Sequence, residues 1–352
     1  MTAVTSSDPT LDLPFAFGGP CVQGLIRQQA EDFQVDEIPG FTPDGQGDHV
    51  YLTIQKKQLN TSDVSAILRE FCSVPSRDIG YAGMKDKHAV TTQTFSINLA
   101  GKPEPDWQQI ESEQLQVLQV SRHRRKLKRG VLKGNRFQIV VRNLSGDFDL
   151  LEQRLQQVKL HGVPNYFGPQ RFGRNGQNVA DARALLTGQM PRVSRNLKSI
   201  LLSAARSLLF NAVLAERVRQ GNWNQLLPGE VIALDGTQRH FIQEIDSELQ
   251  QRCAELDVHG SGPLCGLPSR AVEPQAQAAK VEQAVLASYS DWIDGLQQFG
   301  LEWARRPLRL AVREMHWQLQ ADEQILQLNF NLAAGAFATA VLREFLEVVE
   351  ND

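Results

Sequence analysis

Apolar and polar residues alternate near both ends of this sequence, and helical periodicity dominates the region between. The alternation predicts early strands over residues 22–27, 33–38, 49–56, 94–99, 114–120 and 136–142. After about His161 the pattern is helical over residues 199–220, 275–288 and 291–301, and only 230–234 reads as a strand. Alternation returns over residues 308–312 and 326–332, and a last helix is predicted over 336–349. This order favours one domain interrupted by another, although it also fits three consecutive units.

Two helices are predicted within the first strand-rich region. Thr61 or Ser62 is a candidate N-cap for a helix with apolar residues at helical spacing. Asp147 is a second candidate N-cap, for a helix that follows the strand over 136–142. Strands mixed with occasional helices predict an α+β fold with a mostly antiparallel sheet. The length of 352 residues allows two domains.

Composition restricts the class of protein. No apolar run approaches the roughly 20 residues that a membrane-spanning helix needs, so no membrane association is predicted. Residues 1–20 have no basic start followed by an apolar stretch, and we interpret them as a loose leader rather than a secretion signal. The four cysteines are scattered and form no CxxC pair, which is typical of a protein in the reducing cytoplasm.

Positive charge is concentrated in one segment, although the formal net charge of the chain is -3. No acidic residue occurs between Glu113 and Asp147. A local excess of this kind is typical of a surface that binds a polyanion, RNA or DNA, and the alternative is a solvated basic face. The predicted phosphate contacts are Arg122, Arg124, Arg125, Lys126 and Lys128.

One carboxylate, Asp86, lies between Lys85 and Lys87 on a connection that precedes a strand. Two flanking ammonium groups favour the charged form of a carboxylate, which can then act as a nucleophile or a base. The nearest acids in the sequence are Asp78 and Glu104, so no local pair of carboxylates suggests hydrolysis. The alternative is an ordinary surface turn in which the aspartate pairs with a lysine.

The residues around Asp86 read GMKDKHAVT over 83–91, which resembles the signature of the tRNA pseudouridine synthase D family. Four more stretches resemble that family in the same order along the chain. They are EDFQVDE at 31–37, KGNRF at 133–137, GVPNYFGPQRFG at 162–173 and AGAFATAVLRE at 334–344. The resemblance therefore extends over nearly the whole chain.

The resemblance implies a pseudouridine synthase catalytic domain that is interrupted by a family-specific, largely helical α+β insertion. The expected boundaries are 1–160 and 308–352 for the two parts of the catalytic domain and 161–307 for the insertion. The implied activity is the isomerisation of uridine to pseudouridine in tRNA, at position 13 of the D-arm. The target base is expected to leave its stack, as it does for other enzymes that modify a base.

The resemblance also assigns candidate site residues. Asp86 takes the place of the family's nucleophile, and its attack on C6, its attack on C1′ and the glycal route all stay open. The candidate substrate contacts are Phe33, Asn135, Phe137, Phe337 and, on a looser match, Arg27. Phe137 stands where other pseudouridine synthases place a tyrosine against the base. Without the resemblance, each phenylalanine would be interpreted as a core residue and Asn135 as a turn residue.

The implied partner is tRNA, and neither a small-molecule cofactor nor a metal is expected, because this isomerisation needs no redox or group donor. A monomer is expected. Aromatic and basic residues of the insertion either line an RNA cleft or pack between the domains: Tyr166, Phe167, Arg171, Phe172 and Arg174. Two other hypotheses are a non-catalytic RNA-binding protein on the same scaffold and a hydrolase with a distant second catalytic group.

Overall fold

The computed structural model describes residues 13–269 and 272–349, so most of the predicted leader lies outside the described residues. In chain order the strands are β1 Val22–Ile26, β2 Phe33–Pro39, β3 His49–Lys57, β4 Ile79–Tyr81, β5 Val90–Asn98, β6 Leu115–His123, β7 Leu132–Gly146, β8 Val163–Pro164, β9 Ile232–Leu234, β10 His240–Phe241, β11 Val258–Leu264, β12 Ala304–Pro307, β13 Arg309–Leu310, β14 Arg313–Gln320, β15 Ile325–Ala333 and β16 Leu346–Val348. The helices are α1 Thr61–Phe71, α2 Phe148–His161, α3 Gln177–Leu186, α4 Arg195–Arg219, α5 Ser247–Ala254, α6 Ala276–Leu286, α7 Ser290–Gln298 and α8 Ala338–Leu342.

Internal contacts divide the chain into two units. The sheet unit contains residues 21–150, 312–335 and 346–349, and the helical unit contains residues 13–20, 151–311 and 336–345. These borders lie at 150/151 and 311/312, whereas the sequence placed them at 160/161 and 307/308. Residues 336–345 belong to the helical unit, although the sequence assigned them to the catalytic domain. The assignment of a catalytic domain and an insertion stays a prediction.

The sheet unit is built on one large sheet with the order β14-β15-β7-β2-β5-β3-β6. Strand β1 pairs with β7 and β16, and β4 pairs with β5. All these pairs are antiparallel except β2 with β5 and β1 with β16. The α+β class and the mostly antiparallel sheet are therefore confirmed.

Helix α1 covers the apolar face of strand β3. The residues on that face, Val50, Leu52 and Ile54, share a core with Val64 and Leu68 of α1, and all five are fully buried. The alternation in β3 and the helical spacing in α1 thus describe two sides of one core.

The start of α1 differs from the prediction. Asn60 is the N-cap, because its side chain and that of Asp63 form a capping box. The backbone N–H of Asn60 donates to Asp63 at 2.8 Å. The prediction of Thr61 or Ser62 as the cap was wrong by one or two residues, since the hydroxyl of Thr61 bonds to Gln93 instead.

The predicted N-cap of α2 is confirmed, because the backbone N–H of Leu150 donates to Asp147 Oδ1 at 2.9 Å. We expect Asp147→Ala to lower the free energy of unfolding by about 1 kcal/mol, since one helix-terminal N–H loses its acceptor. Urea unfolding followed by circular dichroism measures this. Asp149→Ala is the matched control, because Asp149 is an exposed acid in the first turn of the same helix. Equal losses for both variants would assign the effect to charge rather than to the cap.

The helical unit is organised around α4. The structure contains one helix, α4, that is long and apolar enough to cross a membrane by length and composition, among the residues it describes. However, 61% of the apolar stretch is buried inside the protein, as in the core helix of a globular domain. The apolar residues of α4 contact α3, α6 and α7, and this packing accounts for the composition of the helix.

A four-stranded sheet in the helical unit, β10-β9-β11-β12, was largely missed by the sequence prediction. Only β9 was expected. Strand β11 reads VHGSGPL, and its two glycines and one proline are rare in strand interiors, so the sequence carries little strand signal.

The predicted final helix over 336–349 was wrong. Helix α8 ends at Leu342, and β16 then runs parallel to β1. The buried carboxylate of Glu344 accepts hydrogen bonds from the backbone N–H groups of Ala16 at 2.8 Å and Phe17 at 3.3 Å. Burial raises the pKa of Glu344, and the guanidinium of Arg343 opposes this shift. These hydrogen bonds fix the chain at Glu344, two residues after the end of α8, where the predicted helix would have continued.

Candidate active site

The loop between β4 and β5 carries Asp86 on the surface, with 63% of its side chain exposed. Arg27 Nη2 donates a hydrogen bond to Asp86 Oδ2 at 2.8 Å. Arg27 directly follows β1 and has a φ of 61°, a left-handed conformation that costs a non-glycine residue about 1–2 kcal/mol. Its guanidinium carbon lies 4.0 Å from the centroid of the Phe33 ring. The Phe33 ring and the Asp86 carboxylate therefore fix the position of the Arg27 side chain.

The lysine before Asp86 does not flank the carboxylate as the sequence predicted. Lys85 Nζ lies 2.7 Å from Glu37 Oε1, and the two side chains are only 7% and 2% exposed. This ion pair turns the ammonium into the protein, while Lys87 stays on the exposed loop. The cation paired with Asp86 is Arg27 instead.

Buried polar groups fix the backbone of the Asp86 loop. The backbone N–H of Lys85 donates to Thr61 Oγ1 at 2.9 Å, and this hydroxyl donates to Gln93 Oε1 at 3.0 Å. Gln93 Nε2 donates to the carbonyl of Gly83 at 2.6 Å and to Glu37 at 3.3 Å. Because Thr61 and Gln93 are completely buried on α1 and β5, the loop is tied to rigid elements.

Lys56 holds the backbone of Asp86 itself. Its Nζ donates to the carbonyl of Asp86 at 3.0 Å and to that of Leu59 at 2.6 Å. The lysine is 1% exposed, and burial lowers its pKa to about 8. Lys56 was not predicted as a site residue, although it continues the alternating apolar face of β3 two positions after Ile54. A lysine at a core position is the signal that would have found it.

Three phenylalanine rings of the sheet unit form a row of contacts that begins at Phe33, the ring next to Arg27. Phe33 meets Phe137 edge-to-face at a centroid distance of 6.3 Å, and Phe137 stacks on Phe330 at 5.5 Å. Phe33 is 4% exposed and Phe137 is 6% exposed. Both rings pack as core residues here, so their contact with a substrate stays a prediction.

Asn135 lies in β7 directly opposite Glu37 of β2, so both side chains project from the same face of the sheet. The interpretation of Asn135 as a turn residue was therefore wrong. Its Oδ1 atom is buried and accepts no hydrogen bond from any residue that the structure describes. An unpaired buried acceptor costs about 1–3 kcal/mol, so it requires an explanation such as a ligand.

The remaining predicted substrate contact, Phe337, belongs to the helical unit. It is the half-buried N-cap of α8, and its carbonyl accepts from the N–H of Ala340 at 3.1 Å. Tyr166 and Phe172 are buried in the core of the same unit, so their rings are not free to line an RNA cleft. Phe167 belongs to the same core but also lines a groove along α4.

The basic segment is partly neutralised by acids from distant positions. Arg122 Nε donates to Glu104 at 3.1 Å, and Arg124 Nε lies 3.5 Å from Asp44. The interpretation of an uncompensated basic run was therefore wrong for these two arginines. Lys126 donates to a backbone carbonyl instead. The exposed side chains of Arg125 and Lys128 form no ion pair with any described residue.

No group of three or more histidine, cysteine, aspartate or glutamate side chains is arranged to hold a metal ion within residues 13–269 and 272–349.

Comparison with known proteins identifies the family. The family model described as tRNA pseudouridine synthase D (TruD) matches residues 14–190 and 176–345. The chain belongs to the tRNA pseudouridine synthase D family. A tRNA pseudouridine synthase D from Nitrosococcus oceani is 47% identical over 339 residues, which cover 95% of this chain and 94% of the relative. One from Methylococcus capsulatus is 46% identical and covers 96% of this chain and 94% of the relative.

A structural neighbour supports the same fold. A solved structure from Methanosarcina mazei, described as a tRNA pseudouridine synthase D, has a TM-score of 0.70 at 20% identity. The match covers 94% of this chain and 95% of the neighbour. Together with the family match, this confirms the fold class and the expectation of an enzyme. The protein is a tRNA pseudouridine synthase, and the hypothesis of a non-catalytic protein is wrong.

The geometry of this tRNA pseudouridine synthase D leaves one carboxylate oxygen available. Asp86 Oδ2 is held by Arg27, whereas Oδ1 accepts no hydrogen bond from the described part of the chain. A carboxylate on a fixed loop with one open oxygen can act as a nucleophile or a base.

Proposed function

We propose that this enzyme converts uridine to pseudouridine at position 13 of the tRNA D-arm, with Asp86 as the nucleophile. The observation that carries the proposal is the support of an exposed carboxylate by a buried polar network. Lys56, Thr61 and Gln93 hold the loop, and Glu37 holds the lysine next to Asp86. An ordinary surface turn does not require this number of buried polar contacts.

In the proposed reaction, every bond and proton that the substrate loses is regained within the same substrate. The C1′–N1 bond breaks, a C1′–C5 bond forms, and the proton lost from C5 is matched by the proton gained at N1. Addition of Asp86 to C6, its attack on C1′ and the glycal route each use one free carboxylate oxygen. The open Oδ1 of Asp86 supports this role.

We propose that the uracil is held next to Asp86 after it leaves its stack. Unstacking costs a few kcal/mol, and one aromatic contact returns about 1–3 kcal/mol. Phe33 and Phe137 of the sheet unit are the proposed rings, and the Arg27 guanidinium packs over Phe33. Phe337 of the helical unit is proposed separately as a ring that contacts the substrate RNA. The unpaired Oδ1 of Asn135 supports a hydrogen bond to an N–H group of the uracil edge.

We propose that the basic segment contacts tRNA phosphates. Arg125 and Lys128 are the strongest candidates because they are exposed and unpaired among the described residues. Arg122, Arg124 and Lys126 would exchange their present partners for phosphate. We also propose a monomeric enzyme of the cytoplasm, where the four free cysteines are suited to reducing conditions.

Two tRNA transcripts that differ only at position 13 test the assigned position. We expect one pseudouridine in the transcript with uridine at position 13, and none in the transcript with cytidine there. Carbodiimide mapping by primer extension locates the product. Equal product at another uridine in both transcripts would overturn the assignment of position 13.

A further inference from the structure

The helical unit contains a groove of about 540 Å³ along the first three turns of α4. Arg195, Lys198, Ser203 and Arg206 of α4 line one side. Phe167 and Phe299 contribute rings, and Lys198 Nζ lies 4.4 Å from the centroid of Phe299. The groove therefore combines cations, hydroxyl groups and aromatic rings on one surface.

Two more arginines, from neighbouring segments, contact residues that line this groove. Arg171 donates to Ser203 Oγ at 3.1 Å and lies over Phe167 at 5.4 Å from the ring centroid. Arg306 lies over Phe167 at 4.2 Å. Two guanidinium groups therefore share one ring and repel each other.

These five cations lack carboxylate partners among the residues that the structure describes. Other arginines of the same unit are paired: Arg217 with Glu230 at 2.9 Å and Arg305 with Glu282. The groove cations therefore differ from these two buried arginines, each of which meets a buried carboxylate. An unpaired, partly buried cation is costly, and an anion reduces the cost.

Three of the guanidinium groups also have an unused donor. The Nε atoms of Arg171, Arg206 and Arg306 are buried and have no hydrogen-bond acceptor in the described chain. Burial lowers the pKa of all three guanidinium groups, and the pKa of about 10 for Arg306 is still well above neutral pH. Of these three arginines, Arg206 lines the groove itself, so a positive charge and an unused donor lie at its wall.

We propose that this groove binds the phosphate backbone of the tRNA substrate, as a contact separate from the Asp86 loop. The distance along α4 from Arg195 to Arg206 is about 16 Å, longer than one small anion can contact. A strand with one negative charge per nucleotide matches a row of cations, and the rings offer contact for sugars or bases. The proposal rests on the proposed function, because RNA is then the polyanion present.

The double variant Arg195→Ala/Lys198→Ala tests this groove in the full chain. Binding of a fluorescent tRNA transcript is measured at several NaCl concentrations. We expect the slope of log K against log salt to fall by about 1–2, since each phosphate contact contributes about 0.7–0.9. We expect affinity to fall about tenfold, and the tRNA concentration at half-maximal rate to rise by the same factor. The charge-keeping variant Arg195→Lys/Lys198→Arg should restore the slope.

The matched control is Arg183→Ala/Arg219→Ala, which removes two exposed charges from the same unit. It should keep the wild-type slope. A wild-type slope in the groove variant would overturn the proposal. A second result would also overturn the proposal: tripolyphosphate stabilises wild type against heat but not the groove variant, while the RNA salt slope of the variant is unchanged. The groove would then bind small anions only. The binding measurement does not depend on catalysis. If wild type forms no pseudouridine but its salt slope still depends on the groove residues, only the proposed function is overturned.

Discussion

Asp86→Asn should lower the rate of pseudouridine formation by about 10⁴-fold or more and leave tRNA affinity within about twofold. The amide has the shape of the carboxylate and can still accept from Arg27 Nη2, but it has neither the charge nor the nucleophilicity. The chemical step is then lost while the surface that meets the RNA is retained. Single-turnover assays with excess enzyme measure the rate, and filter binding measures affinity.

Asp78→Asn is the matched control, because Asp78 is the preceding acid in the sequence and takes no part in the Asp86 loop contacts. Its rate should stay within about twofold of wild type. Asp86→Ala, which cannot regain a carboxylate by deamidation, should be as inactive as Asp86→Asn. Normal product formation by Asp86→Ala would remove Asp86 from the mechanism.

Lys56→Met should lower the rate about 10- to 100-fold with little change in tRNA affinity. Methionine fills a similar volume, but the carbonyls of Asp86 and Leu59 lose their donor and the loop loses its fixed position. Lys57→Met is the matched control. The next residue, Lys57, is 41% exposed and pairs with Glu31 on the surface, so its loss should change the rate less than twofold.

The pH dependence separates a positioning role from a general loss of stability. Burial lowers the pKa of Lys56 from 10.5 to about 8, so the ammonium loses its proton as pH rises through 8. We expect the wild-type rate to decline above pH 8 as this contact weakens, and the lower rate of Lys56→Met to lack that decline.

The stability of wild type is expected to change in the opposite direction, rising with pH. The unfolded chain binds more protons at this group between about pH 8 and 10.5, so wild type gains stability relative to Lys56→Met in that window.

Denaturant unfolding and single-turnover rates at pH 7, 8, 9 and 10 measure both effects. If rate and stability of the wild type decline together over this range, Lys56 does not act through the Asp86 loop in the way described.

The sequence predicted the sheet well where one face of a strand is buried. Phe137, Ile139 and Val141 share a face of β7, and Val50, Leu52 and Ile54 share a face of β3, as alternation requires. The prediction from sequence failed where strand pairing outweighs the local pattern of apolar and polar residues. Residues 346–348 look helical but become a strand because β1 offers an edge, and β11 is a strand despite its glycines and proline.

The sequence predicted residues of the candidate site but not the contacts that those residues make. The motif around Asp86 indicated the loop, but the partner of Lys85 is Glu37, 48 residues earlier in the chain. The basic segment looked uncompensated because Asp44 and Glu104 are distant in sequence. Charge pairing depends on three-dimensional proximity, so only the structure identifies these partners.

The interrupted order of the sheet unit has a consequence for synthesis of the chain on the ribosome. Strand β7 ends at Gly146 and its neighbour β15 begins at Ile325, so about 180 residues are translated between them. At about 5–20 residues per second, this takes roughly 10–35 s. Throughout that time one edge of β7, over residues 134–141, has no strand to pair with. An open strand edge invites intermolecular pairing, so the nascent chain needs protection until β15 emerges.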